Sequence, residues 1–203
     1  MARPNRWAEV VEAAGEEFRI RGYDSATLED IAARVGILKG SIYNYVQNKE
    51  ELLFAVIEQP AKRILEELTI LKADTDHSVA YRLQRLFQMQ VRVFCDHYPA
   101  AFVYLRNIGR SDLSEKFGAY AELDTKYIRM VEDLIAEGVE RGELNISSEP
   151  RVAARAIIGI LDWMQHWFVP HHDERDQAIA DDLFAIALGG LHSSGGIAHM
   201  LRD

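Results

Sequence analysis

A single glycine, Gly36, separates two short apolar stripes, and that arrangement constrains the fold more than any other feature of the chain. On its N-terminal side Leu28, Ile31, Ala32 and Val35 recur at helical spacing, which predicts a short amphipathic helix. Thr27 is placed to cap it, with Asp30 three residues on as an imperfect capping-box partner. Gly36 suits the tight turn between two crossed helices. A second short helix is expected from about residue 38 to 45, with Ile42 inward and Lys39, Ser41, Tyr43 and Asn44 on the outer side. Short helix, tight turn, short polar-tipped helix is a geometry that fits the major groove of DNA.

The outer residues have the chemistry for that role. Lys39 can reach a guanine edge or a phosphate, Asn44 can pair with adenine, and Ser41 suits base or backbone. Upstream, Val10, Val11, Ala14 and Phe18 form a stripe over residues 5–21, closed by Gly22, which completes a three-helix core. Downstream, Asn48 can cap a helix over about residues 49–72, with Glu51 at its third position and Pro60 expected to bend or divide it.

Helical periodicity then runs to the end of the chain. Further helices are expected over about 78–97, 100–108, 114–140, 149–169 and 174–190, broken by Pro99, a turn at 109–112, Gly142 and Pro170. No strand alternation, βαβ rhythm or internal repeat appears, so the expected class is all-α. A DNA-binding head is expected at 1–48, a helical ligand-binding and dimerisation domain at 49–191, and a flexible tail at 192–203.

Composition narrows the partners. No apolar run is long enough to span a bilayer, and the first residues lack a signal-peptide core. One cysteine, Cys95, rules out an internal disulfide and offers no zinc-site spacing, so a reducing cytoplasm is the expected setting. The net charge of −9 is unusual for a DNA binder. Residues 1–50 carry seven Arg or Lys against eight Asp or Glu, so most of the acidity lies further on. Phosphate contact therefore depends on local cations, Arg3, Arg6, Lys39 and Lys49, rather than on the total.

The run TLEDIAARVGILKGSIYNYVQNKEELL resembles the DNA-binding signature of the TetR family of bacterial one-component transcriptional regulators. The likeness covers about the first fifty residues. It implies that Tyr43 and Tyr45 contact backbone phosphates or brace the head, and that Thr27 and Lys49 hold flanking phosphates; Tyr45 can instead be mostly core. One departure stands out: many relatives cap the second short helix with Ser where this chain has Leu38.

The C-terminal half carries a weaker likeness. Asp162-Trp163, Trp167, Pro170 and the Leu188-Gly-Gly-Leu run resemble members that control fatty-acid, sterol or aromatic-acid degradation and commonly respond to acyl-coenzyme A thioesters. The family implies a homodimer that represses from an operator until a small-molecule effector releases it; the residues themselves leave activation open. Ala156, Ile157, Ile160, Met164, Trp167, Leu183, Ile186 and Ala187 can form either an intrachain core or an interface with a second copy. Phe87, Phe94, Phe102, Tyr120, Tyr127 and Trp163, with Arg106, are candidate effector contacts, though such aromatics also serve as ordinary core.

Other chemistry finds little footing. His166, His171 and His172 lack a convincing third ligand and carboxylate, so no metal or cofactor is expected. Cys95 and His97 would face different ways on a helix, and no phosphate-cradling loop or serine elbow occurs, so no enzyme is expected. The competing account is a helical small-molecule-binding or interaction protein without specific DNA binding.

Overall fold

The structure is a computed structural model. It describes residues 6–107 and 118–192, except the side chains at 118–121 and 190–192. The described residues form helices and no strand. In order these are α1 (Trp7–Arg21), α2 (Leu28–Val35), α3 (Lys39–Ile42), α4 (Lys49–Ala73) and α5 (Val79–Asp96). There follow α6 (Ala100–Asn107), α7 (Gly118–Glu140), α8 (Pro150–Trp163) with a 3-10 turn at Met164–His166, and α9 (Glu174–His192). The expected turn at 109–112 and the tail beyond His192 lie outside the described residues.

Two compact units are present. The first spans Met1–Lys62 and Asp96–Ile108, the second Arg63–Cys95 and Gly109–Asp203. The first therefore extends past residue 48, because α6 also packs on α1. Its core is the stripe read from the sequence: Val10, Ala14 and Phe18 of α1 are buried with Ile31, Ile42, Leu52 and Leu53. Gly15 faces this packing, where a Cβ would make ordinary van der Waals contact with Pro99 at 3.4 Å and Val56 at 3.7 Å. Phe18 is 1% exposed, and truncating it to Ala should cost about 3–5 kcal/mol. A charged tie joins α1 to α2: the buried Glu17 carboxylate accepts from Arg34 at 2.7 Å and pairs with Arg21 at 2.9 Å.

The start of α4 is capped as expected. Asn48 Oδ1 accepts the Glu51 N–H at 2.8 Å, while Glu51 Oε2 accepts the Gln47 N–H at 2.7 Å. Pro60 does not divide the helix, which continues to Ala73; the boundary between the two units falls just beyond it.

In the second unit α7 packs on α8 and α8 on α9. Leu83, Leu86 and Phe87 of α5, Val131 and Leu134 of α7, and Leu161 of α8 are all buried. At one end the fully buried Arg82 pairs with Glu137 and donates to the Lys72 carbonyl at 3.5 Å, so its charge is matched inside the unit. Gly138 is required there: a Cβ would come within 2.7 Å of Leu144 and 2.8 Å of Val79.

Candidate nucleic-acid interface and effector site

The cap of α2 is complete rather than imperfect. Thr27 Oγ1 accepts the Asp30 N–H at 3.1 Å, and Asp30 Oδ2 accepts both the Thr27 N–H at 3.1 Å and its hydroxyl at 2.6 Å. The Thr27 hydroxyl bond is the main reason the Asp30 carboxyl sits below its usual range, with Arg21 adding to it. The other end closes through Gly36, at φ 72 and ψ 33, a left-handed conformation that favours glycine. Its N–H donates to Ala33 and that of Ile37 to Ala32, at 3.1 and 2.9 Å.

The second short helix is a single turn. Beyond Ile42 the chain continues through the bonds Asn44 N–H to Ser41 O at 3.2 Å and Tyr45 N–H to Ile42 O at 2.9 Å. Leu38 sits at the N-cap with extended dihedrals and gives no side-chain bond to the turn. That missing cap matches a helix shorter than the expected 38–45. Ile42 is buried and Ser41 and Tyr45 are half-buried, while Leu38, Lys39, Gly40, Tyr43 and Asn44 are exposed.

Two lysines expected to meet DNA behave differently. Lys39 is exposed but pairs with Glu29 of α2 at 2.7 Å. That bond is the chief cause raising its pKa. Lys49 is held within the chain. Its ammonium donates to the Tyr23, Asp24 and Ala26 carbonyls at 2.7, 3.0 and 2.9 Å and lies 4.6 Å from the Tyr23 ring centroid. Its three donors therefore close the loop between α1 and α2. Glu29 escaped the sequence reading because a pairing across the turn has no fixed spacing.

The expected effector contacts fall in both units. Phe87, Phe94 and Tyr127 are buried in the second unit, where Phe87 meets Phe184 edge-on at 5.8 Å, Phe94 lies 5.9 Å from Phe168, and Gln90 donates to the Tyr127 hydroxyl at 2.8 Å. Phe102 and Arg106 lie on α6 in the first unit, the guanidinium 5.9 Å from the ring centroid. Trp163 is 62% exposed and stacks on His166 at 3.9 Å. The side chain of Tyr120 lies outside the described residues. A hollow of about 470 Å³ opens along α7, lined by Glu122, Thr125, Lys126, Arg129 and Met130. Elsewhere on α7 and α8, burial pushes the Asp162 carboxyl up to about 7, reinforced by Asp124, whose own carboxyl is raised by burial against the opposing pull of Arg155.

The last two helices present a mixed face. Ala156, Trp167 and Ile186 are exposed, and Ile160 and Leu183 half-buried. Ile157, Met164 and Ala187, at 2%, 1% and 8% exposure, pack in this chain's own core. Val152, one turn before Ala156, is 52% exposed and was missed although its spacing was readable. A Cβ at Gly159 or Gly189 would meet nothing within 4 Å. Near Pro170 the chain wraps a carboxylate: Asp176 accepts the His171 N–H at 3.0 Å and the His172 N–H at 2.8 Å. No cluster able to hold a metal occurs among the described residues.

A capped helix, a left-handed glycine turn and an exposed one-turn helix on a small helical unit, followed by a second helical unit, define a helix-turn-helix protein with an all-α body. Residues 10–56 match the family model of bacterial regulatory proteins of the tetR family, and residues 76–191 match the tetracyclin repressor-like C-terminal domain. The chain belongs to the TetR family: it is a DNA-binding transcriptional regulator, not an enzyme. It is 26% identical over 194 residues to the HTH-type transcriptional repressor KstR2 of Mycobacterium tuberculosis, covering 94% of this chain and 95% of that one. The solved structure of the ketosteroid transcriptional regulator KstR2 of Mycobacterium tuberculosis superposes with a TM-score of 0.82 at 24% identity, covering 93% of this chain and 96% of that one. A crystal structure of AibR in complex with isovaleryl coenzyme A and operator DNA shares the fold at a TM-score of 0.74 and 21% identity, over 91% and 98%.

Proposed function

We propose that the chain is a homodimeric repressor that an acyl-coenzyme A thioester releases from its operator. The observation that carries the DNA half is the exposure of Leu38, Lys39, Gly40, Tyr43 and Asn44 around a buried Ile42, next to a fully capped α2. Lys39, Ser41, Tyr43, Asn44 and Tyr45 are the residues proposed to meet the duplex, with Thr27 at its flank. One short helix reads few base pairs, so two copies on successive major grooves, about 34–36 Å apart, give a half-site each.

The dimer surface we propose runs along α8 through Val152, Ala156, Ile160 and Trp163, continues to Trp167 beyond the 3-10 turn, and takes in Leu183 and Ile186 of α9. Exposed apolar side chains beside the open Gly159 and Gly189 support it. For the effector, the support is likeness: AibR was solved with isovaleryl coenzyme A, and KstR2 is a ketosteroid regulator. The acyl group would insert among Phe87, Phe94 and Tyr127, so binding requires those rings to part. Release follows only if the thioester prefers the arrangement in which the heads no longer match the grooves, whatever its absolute affinity.

Fluorescence anisotropy on labelled operator DNA tests the proposal. Acyl-coenzyme A should lower the bound fraction, while the free acid and coenzyme A alone leave it unchanged. An operator complex indifferent to every thioester would remove the effector assignment and leave the DNA assignment standing. Lys39→Ala and Tyr43→Ala should weaken operator binding at least several-fold while the dimer sediments as before.

A further inference from the structure

Leu38 is 81% exposed, the most exposed large hydrophobic residue among those described. It occupies the N-cap of α3, where its carbonyl accepts the Ser41 N–H at 2.8 Å but its side chain caps no donor, as a Ser, Thr, Asp or Asn side chain could. Two residues on, Gly40 weakens the same one-turn helix, yet a Cβ there would meet nothing within 4 Å, so packing does not demand glycine. Local stability is given up at both positions flanking Lys39. Packing among the described residues accounts for neither, Leu38 being exposed and the space beside Gly40 open. Both are explained by a surface that something approaches closely and that is apolar at Leu38.

We propose that Leu38 is a specificity-determining residue whose side chain packs on the C5-methyl group of a thymine in the operator's major groove. This inference rests on the reading of Leu38–Asn44 as the DNA-contacting surface. Among base edges in that groove the thymine methyl is the apolar feature; the other groups are donors and acceptors that a leucine would desolvate without replacing a hydrogen bond. The polar neighbours Lys39 and Asn44, both exposed, hold register on the surrounding edges and phosphates.

The test uses the full chain and duplexes selected by it from a random pool. Each thymine of the selected half-site is replaced in turn by deoxyuridine, which removes only the methyl group. One position per half-site should weaken binding by about four-fold, the worth of one buried methyl-sized group. Leu38→Ala should bind the thymine duplex as weakly as the wild type binds the deoxyuridine one, and should not distinguish the two. Leu38→Ser supplies the missing cap, so it should raise Tm while losing the same discrimination; a purely structural role would not separate those readouts. Selected duplexes on which no deoxyuridine replacement affects wild type and Leu38→Ala differently overturn this inference alone. Failure to select any duplex overturns the DNA-binding reading and this inference with it.

Discussion

Lys39 and Lys49 carry the same group and hold it in opposite states. Lys49 donates to three carbonyls, so its removal strands those acceptors. Lys49→Met should lower stability by about 1–3 kcal/mol in denaturant unfolding, and the slope of log affinity against log salt should stay as it was. A loss of about one unit in that slope would restore Lys49 to the phosphate contacts. Lys39 is contested instead. Its partner Glu29 is 63% exposed, so duplex and carboxylate compete for one ammonium group. Glu29→Gln should tighten operator binding several-fold at low salt, with the gain shrinking as salt rises. Unchanged affinity at low salt would show that the pair does not restrain Lys39. The sequence displayed both lysines but could not distinguish them, because the difference lies in backbone carbonyls and in a residue across a turn.

Among the elements, α2 and α4 announced their caps in sequence, since Thr27–Asp30 and Asn48–Glu51 act within one turn of their own backbone. Local chemistry of that kind is readable. The brevity of α3 was implicit in Leu38 without its extent being readable. Which face of α8 turns inward was not readable at all: Ile157 and Met164 share an apolar stripe with Ala156 and Ile160, and only packing against α7 and α9 divides them. The pairing of Asp162 with Asp124 across α7 and α8 was equally hidden. Its consequence is a pH dependence. Asp162 is held up at about 7, so the stability tied to its neutral form is complete below the unfolded carboxyl value of about 4 and is lost as pH rises through about 7. Asp162→Asn should therefore raise Tm more at pH 8 than at pH 5. An equal change at both pH values would show that the carboxyl does not titrate there.

For the molecule as a whole, α4 belongs to both compact units, which gives one continuous helix a part in each. Under the proposed function that helix carries the effector's preference to the head. Dimerisation is the other whole-molecule requirement. Ile186→Glu places a charge on an exposed residue of the proposed face, so it should yield folded monomers in sedimentation and abolish tight operator binding. A stable dimer would move the interface elsewhere. The most direct measurement of the central claim is the mass of the operator complex in solution, followed as acyl-coenzyme A is added. Two chains per duplex, lost with the thioester and retained with coenzyme A alone, is the predicted result. One chain per duplex, or a complex of constant mass throughout the titration, would contradict it.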